Sequence, residues 1–505
     1  MFKRILIANR GEIAVRVIRA CRDLGIEAVA VFSEADRAAL HVREADYAVA
    51  VGPAPAAQSY LNTDRILDAA KRTGAEAIHP GYGFFSENAG FARAVEAAGI
   101  VFIGPPPSAI EKMGDKVEAR KLMAAAGVPV VPGSPGTLET EEQVRAVAKK
   151  IGLPIMLKAA AGGGGKGMRL VEQDKDLAAA VRTVASEAKS SFGDGRFYVE
   201  KFVNRPRHIE IQVFADKAGN TVHLFERECS IQRRHQKVVE ESPSPFITPA
   251  MRSAMGEVAV KAARAVNYVG AGTIEFLADA ERNFYFLEMN TRIQVEHPVT
   301  EMVTGIDLVK TQIEVAAGLP LPFSQSDLRQ HGWALECRIY AEDSAAGFVP
   351  APGRIDSMTF PDGPGVRVDA GVYAGAEVSV FYDPMIAKLA TWGRDRAEAL
   401  ARMRRALGEF RIAGELSTNL DFHQWITAHP RFIAGDFDTN FIAQEYRPQT
   451  DAKTDDPVRV SAIIAAAFAA QRAGNHTAGG APLAAPATDT FSPWKMVGRS
   501  RILGR

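Results

Sequence analysis

From Glu288 to Glu296 every second residue is polar: Glu288, Asn290, Arg292, Gln294 and Glu296, with Met289, Thr291, Ile293 and Val295 between them. Alternate side chains of an extended chain share one face, so this segment can aim two carboxylates, two amides and a guanidinium the same way. Carboxylates suit a hard divalent cation, and a guanidinium suits a small oxyanion. Eight extended residues would span ~26 Å, too far for one small site. A bend after Thr291 is therefore expected, with the early residues on a metal and the later ones on a second substrate. Phe284, Tyr285, Phe286 and Leu287 lead in and read as a buried strand.

Other stretches carry related chemistry. Glu275 and Glu288 fall on strand-like segments, 273–277 and 284–290, that read as neighbours. Two carboxylates converging on one point repel unless a cation lies between them. Oxygen ligands suit Mg²⁺ or Mn²⁺ bridging nucleotide phosphates; a surface pair is the plainer alternative. Four glycines, Gly162 to Gly165, stand between Lys158 and Lys166 after a strand ending at Leu157. Without Cβ atoms, such a loop lets backbone N–H groups approach phosphate oxygens. It is no Walker loop, because Ala160 stands six residues before Lys166 and Gly167 follows it. A mobile phosphate lid is expected over a simple linker. Glu200, Lys201, Phe202 and Val203 end a strand, where backbone could meet an adenine edge and Glu200 could accept from its amino group. Arg233 to Lys237 is a short basic run followed by Glu240 and Glu241, better suited to a phosphate or substrate pocket than to nucleic acid. Arg338 sits in an apolar stretch and needs a partner there, either a structural acid or a developing oxyanion.

The elements that must position these groups follow from periodicity. Strand-like Ile5–Ala8, Ala28–Phe32, Ala77–Ile78 and Ile100–Ile103 alternate with helix-like Glu12–Leu24 and Arg65–Thr73. That alternation implies a parallel, doubly wound sheet. Its first turn, Asn9 to Glu12, holds one glycine rather than the three of a dinucleotide fingerprint, so this sheet reads as scaffold. Further helices are expected at Lys116–Ala126, Asp176–Lys189, Pro249–Ala265 and Arg396–Leu407. Further strands are expected at 155–158, 197–201, 208–214 and 222–225. From about residue 334 the pattern turns mostly β with Gly and Pro punctuation. The expected divisions are 1–114, 115–333 with a mobile lid at about 131–203, 334–447, and a flexible tail over 448–505 containing an Ala-rich helix at 461–473.

Composition narrows the class. The chain has 505 residues, 47% hydrophobic, with 60 Lys plus Arg against 60 Asp plus Glu. Balanced charge argues against a nucleic-acid or anionic-membrane binder. Cys21, Cys229 and Cys337 lie far apart without zinc spacing, so no structural disulfide is expected and a reducing cytoplasm fits. No signal-peptide hydrophobic region follows Met1, and the longest apolar run, 462–470, is half a membrane span at most. A soluble cytoplasmic protein is expected.

Together these motifs resemble the biotin carboxylase family, ATP-grasp enzymes that supply the first component of biotin-dependent acyl-CoA and pyruvate carboxylases. The resemblance rests on residues 7–14, 79–84, 158–169, 207–212, 226–237 and 288–301 and runs unbroken to about residue 447. It implies an α/β ATP-grasp fold with an N-terminal parallel-sheet domain and a C-terminal, mostly β, barrel-like domain. It also implies ATP-dependent carboxylation of biotin on a carrier protein, with bicarbonate as carbon source and carboxyphosphate as intermediate. By the same resemblance Lys116, Lys158 and His208 would contact ATP, with Glu200 to Val203 at adenine and Gly164 and Gly165 over the phosphates. Glu275, Glu288 and Asn290 would hold Mg²⁺ or Mn²⁺ at two sites. His235 and Lys237 would reach ribose or phosphate and the reaction centre. Arg292, Gln294 and Val295 would cradle bicarbonate, Glu296 would be the general base, Arg338 would face the ureido oxygen of biotin, and Tyr82 would pack beside it. Arg16 and Arg19 resemble dimer-face arginines.

The implied partners are a biotin carboxyl carrier protein, carboxyltransferase subunits and a second copy of the chain, with acetyl-CoA or another acyl-CoA as final acceptor and fatty acid biosynthesis as a setting. Ala160 and Ala161 depart from the Ser or Gly common at the start of such lids. Around Lys495 the tail lacks the Ala-Met that precedes a biotinylated lysine, so it reads as a docking peptide or simple disorder. The rival readings are the corresponding subunit of a pyruvate carboxylase, another ATP-grasp ligase joining a carboxylate to an amine, and a non-catalytic nucleotide-binding subunit. The last predicts lost metal ligands, and none is lost.

Overall fold

A computed structural model of the chain describes residues 1–160, 167–193, 195–448 and residue 465. It opens with β1 (Arg4–Ile7), β2 (Glu27–Ser33), β3 (Tyr47–Gly52), β4 (Ala77–His79) and β5 (Val101–Phe102) in the order β3-β2-β1-β4-β5, all parallel. The expected doubly wound sheet is present, with one strand more than the sequence pattern indicated. That strand, β3, is a largely exposed edge even though Tyr47 to Val51 form an unbroken apolar run. Strand order reverses beside β1, the place where open α/β sheets form a crevice. There the Asn9 amide donates to the carbonyls of Pro80 and Tyr82, 2.7 Å each, and ties down the loop carrying Tyr82.

A small antiparallel sheet follows: β6 (Ile155–Ala159), β7 (Met168–Val171) and β8 (Phe197–Lys201), in the order β7-β6-β8. Leu157, Val171 and Val199 on these strands bury against Val144 and Val184 from helices Glu141–Ile151 and Leu177–Phe192. Thr140 starts the first of these helices with a reciprocal capping box to Gln143, which satisfies two of the exposed N-terminal donors. Residues 161–166, with Gly164 and Gly165, lie outside the described residues.

The site is built on a larger antiparallel sheet. Its strands are β9 (Arg207–Ala215), β10 (Thr221–Arg233), β11 (Gln236–Ser242), β12 (Gly270–Ala278), β13 (Phe284–Asn290) and β14 (Trp333–Tyr340). After the short strands β15 (Glu342–Asp343), β16 (Val349–Pro350) and β17 (Ile355–Thr359) come β18 (Val366–Ala370), β19 (Met385–Gly393) and β20 (Arg411–Gly414). The order is β13-β12-β9-β10-β11-β14-β19-β18. Of the strands after residue 333, β14, β18 and β19 continue the sheet begun by β9 to β13, while β15 with β16 and β17 with β20 form two small sheets of the C-terminal region. The reason is shared burial: Ile231, Val238 and Val239 occupy one core with Leu335, Ile386 and Phe410. The region is also more helical than expected, with helices Arg396–Glu409, Leu420–Ala428, Pro430–Ile433 and Phe441–Glu445.

β13 ends at Asn290, the backbone bends at Arg292, and helix His297–Thr304 begins directly after Glu296. The bend that strand length demanded is present. Cys21, Cys229 and Cys337 are buried and free. Among the described residues no helix is long and apolar enough to cross a membrane. Apart from residue 465, the expected Ala-rich helix and the rest of the tail beyond residue 448 lie outside the described residues.

Candidate active site

Glu275 on β12 lies directly across from Glu288 on β13 and, on its other side, from Glu210 on β9. Three carboxylates on adjacent strands would repel without cations among them. Lys237 on β11 supplies one: its Nζ forms an ion pair with Glu210 and lies 2.8 Å from Glu275 Oε1 and 2.6 Å from Glu296 Oε1. His208 Nε2 lies 3.0 Å from the other Glu275 oxygen, and the Asn290 amide donates to Glu275 Oε1 at 2.8 Å. Burial opposes the charge on Glu275, but Lys237 and His208 outweigh it and hold the carboxyl far below its usual range. Burial likewise disfavours the Lys237 ammonium, and Glu210, Glu275 and Glu296 together raise it well above an ordinary lysine. Lys116 Nζ stands 3.4 Å from Glu288.

Past the bend the segment carries Arg292, Gln294 and Glu296. Glu296 is fully buried, with one oxygen on Lys237 and the other 2.8 Å from Arg338. Burial pushes its carboxyl up, yet Lys237, Arg338 and Arg227 prevail and keep it ionised well below the carboxylate range. Arg338 also donates from Nε to Glu240 at 2.7 Å, so it has the structural acid that its burial requires. Arg292 is braced by Glu87 at 2.9 Å, by Gln294 Oε1 at 3.0 Å and by Asn290 Oδ1 at 3.1 Å. The Gln294 amide nitrogen is buried with no partner among the described residues. A buried N–H without an acceptor is costly, and here it stands beside a guanidinium; a small oxyanion would satisfy both.

At the expected adenine edge the backbone is extended through Lys201, but Glu200 is not a free acceptor. Its buried carboxylate forms ion pairs with Arg120 and Lys158. No local pattern marks these pairs, because Arg120 comes from the separate helix Lys116–Ala125. Lys201 caps the carbonyls of Gly152 and Leu153 at 3.2 and 2.9 Å, the Phe202 N–H donates to Pro154 at 3.1 Å, and Val203 is half-buried. The run Arg233–Lys237 proves to be a hairpin: Arg233 pairs with Gln236, and Arg234 and His235 form the turn with φ of 49° and 68°. His235 is exposed at that tip. The Tyr82 hydroxyl is buried without a partner among the described residues. Arg16 is buried on Glu301 and Asp307, at 2.9 and 2.6 Å, while Arg19 is exposed; both border an open cavity of about 470 Å³.

Comparison with known proteins assigns the chain. Residues 1–110 match the biotin carboxylase N-terminal domain, 115–324 the carbamoyl-phosphate synthase L chain ATP-binding domain, and 336–444 the biotin carboxylase C-terminal domain. Biotin carboxylase 1 of Bacillus subtilis is 54% identical over 443 residues, covering 88% of this chain and 98% of that one. The chain belongs to the biotin carboxylase family. It is an ATP-dependent ligase of the ATP-grasp type. Another relative, the propionyl-CoA carboxylase alpha chain of Ruegeria pomeroyi, is 51% identical, covering 92% of this chain and 72% of that one. The biotin carboxylase domain dimer of Hydrogenobacter thermophilus 2-oxoglutarate carboxylase was solved with MgADP, ADP and bicarbonate. It superposes with a TM-score of 0.83 at 49% identity, covering 88% of this chain and 97% of that one.

In this biotin carboxylase several site residues escape sequence reasoning. Glu210 and Arg227 form a fully buried ion pair beneath Lys237, and Gln232 donates to the His208 ring at 2.8 Å. Glu87 and Glu240 brace Arg292 and Arg338. Alternation within β9 and β10 would have put Glu210 with His208, and Arg227 with Cys229, on common faces. For Glu87, 205 residues from Arg292, the sequence carries no local signal.

Proposed function

We propose that the chain carboxylates biotin held on a separate carrier protein, using ATP and bicarbonate, with the residues gathered around Lys237 performing the chemistry. One observation carries the reading: Glu296 is gripped by Lys237 and Arg338 at 2.6 and 2.8 Å, next to a braced Arg292 and a Gln294 amide nitrogen without a partner among the described residues. That arrangement joins a phosphate-seeking cation, an anion cradle and a base in one place.

Glu275, Glu288 and Asn290 offer hard oxygen donors, two of them opposed in register, and fit Mg²⁺ or Mn²⁺. A cation held there would neutralise charge on the phosphate oxygens. Lys116, Lys158 and His208 complete the nucleotide cradle, with Lys201 to Val203 offering backbone to adenine. Arg292, Gln294 and the Val295 backbone hold bicarbonate. Glu296 takes its proton; a carbonate oxygen then bonds to the γ-phosphorus as the bond to the ADP oxygen breaks, giving carboxyphosphate and ADP. Cleavage of carboxyphosphate yields CO₂ and phosphate. Phosphate takes the ureido N–H proton, Arg338 stabilises the charge on the ureido oxygen, and nitrogen attacks CO₂.

The grip on Glu296 gives this sequence an order. Paired to two cations, the carboxylate is a poor base. Phosphate drawing on Lys237, and biotin drawing on Arg338, loosen that grip and return basicity only when the substrates are present.

A homodimer, carrier and carboxyltransferase partners complete the proposal. An acyl-CoA is the proposed final acceptor, on the strength of the propionyl-CoA carboxylase relative; the 2-oxoglutarate carboxylase neighbour supports a 2-oxoacid as the second reading. The test is ¹⁸O transfer. With biotin present and bicarbonate labelled, one labelled oxygen should appear in the released phosphate. Unlabelled phosphate at normal turnover would eliminate the carboxyphosphate route.

A further inference from the structure

Lys388 on β19 is 1% exposed, and it stands in register between Arg338 on β14 and Asp369 on β18. Its Nζ donates to the carbonyl of Val295 at 2.8 Å, lies 3.3 Å from Glu12 Oε2 and is 4.0 Å from Asp369 Oδ2. Three segments remote in sequence therefore meet at one ammonium. A buried ammonium is costly unless its donors are used, and an apolar side chain of similar length would pack there without that cost. What an apolar side chain could not do is hold the Val295 carbonyl.

Val295 lies between Gln294 and Glu296 in the turn leading into helix His297–Thr304. The carbonyls on either side are held from within the segment: that of Gln294 by His297, through N–H at 3.3 Å and Nδ1 at 2.8 Å, and that of Glu296 by the Val299 N–H at 3.4 Å. Among the described residues the Val295 carbonyl is held only by Lys388, from outside the segment. The peptide plane that contains this carbonyl also carries the Glu296 N–H. If it rotates, the Glu296 carboxylate and the Gln294 amide shift together. Glu12, from helix Gly11–Asp23, lies beside the ammonium; both its oxygens are buried and make no hydrogen bond of good geometry, and burial pushes its carboxyl up to about 7 against the pull of Lys388.

We propose that Lys388 is a positioning residue that fixes the turn 294–296 in its bicarbonate-binding form. This rests on the reading that the turn holds bicarbonate. Small displacements of positioned groups are costly in rate even when they originate away from the reacting atoms.

The test compares wild type with Lys388→Met, which keeps the stem and removes the donor, and with the charge-neutral double variant Glu12→Gln/Lys388→Met. Bicarbonate-dependent ATP hydrolysis in the presence of free biotin is the readout. Both variants should raise KM for bicarbonate about tenfold or more, with KM for ATP changing less than about twofold. An unchanged bicarbonate KM in the double variant, or equal rises for both substrates, would overturn the proposal. Insolubility of both variants would reduce Lys388 to a structural residue and overturn it equally. Absence of any bicarbonate dependence in wild type would instead refute the underlying reading of the site.

Discussion

At the residue scale the centre is defined by which charges share partners. Lys237 touches three carboxylates and Arg338 two, so neither cation acts on Glu296 alone. Glu296→Gln keeps the shape and one accepting oxygen, gives up the other acceptor between Lys237 and Arg338, and cannot take a proton. It should leave ATP affinity nearly intact and lower bicarbonate-dependent turnover about 10²- to 10⁴-fold, the usual worth of a general base; steady-state kinetics beside nucleotide titration checks both halves. Near-normal turnover would remove Glu296 from the role. The polar alternation of 288–296 made these residues legible because a strand and a sharp bend obey local geometry. Their braces were not legible. Glu87 and Glu240 owe their importance to meeting Arg292 and Arg338 from segments 205 and 98 residues away, and no local pattern encodes that meeting. The ion pairs of Glu200 were hidden for the same reason, since Arg120 reaches it from a separate helix.

At the element scale, β11 was missed because its sequence, Gln-Lys-Val-Val-Glu-Glu-Ser, looks too charged for a central strand; the charges are buried against Arg338, Lys237's partners and Arg396. The hairpin joining β10 to β11 places Arg234 and His235 in the left-handed region, where glycine or asparagine is favoured. Backbone strain of this kind persists where a site holds it. Arg234→Gly should relieve part of it, stabilising the fold by about 0.5–1 kcal/mol, seen as a higher Tm; a lower Tm would mean that the Arg234 side chain contributes more than its strain costs. β18 offers a pH test. Burial works against the Asp369 charge, but Arg367 at 2.7 Å and Lys388 hold its carboxyl down to about 2. A carboxyl depressed from an unfolded value near 4 stabilises the fold above that pH, and the contribution fades as pH falls towards 2. It amounts to about 2 kcal/mol. Asp369→Asn should therefore lower stability near neutrality, and the gap from wild type should narrow between about pH 4 and 2 in denaturant titrations. A gap that stays constant with pH would show that the loss is packing rather than charge.

At the scale of the whole molecule, residues 1–448 form one compact unit, and the described site draws on nothing beyond it. A chain ending at 448 should therefore carboxylate free biotin at a rate close to that of the full chain, and loss of that activity would assign the tail a part in the chemistry. A cut at residue 333 should behave very differently, although sequence similarity divides there. It removes β14, whose Cys337 and Glu336 pair with Val239 and Glu240 of β11, and leaves that strand as a bare edge in the middle of the sheet. It strips the covering from Ile231, Val238 and Val239, each worth about 1.5–3 kcal/mol when buried. It also removes Arg338, leaving Glu240 without its cation and Glu296 with one fewer, and an uncompensated buried charge is strongly destabilising. Those losses together are comparable with the whole stability of an ordinary domain, about 5–15 kcal/mol. The fragment 1–333 should thus aggregate or bind apolar dyes, with amides of 236–242 exchanging freely while the same amides stay protected in 1–448. A soluble, monomeric 1–333 with native protection at β11 would mean that the eight-stranded sheet is two independent sheets placed side by side, and that the turn 294–296 can be organised without the strand that carries Lys388.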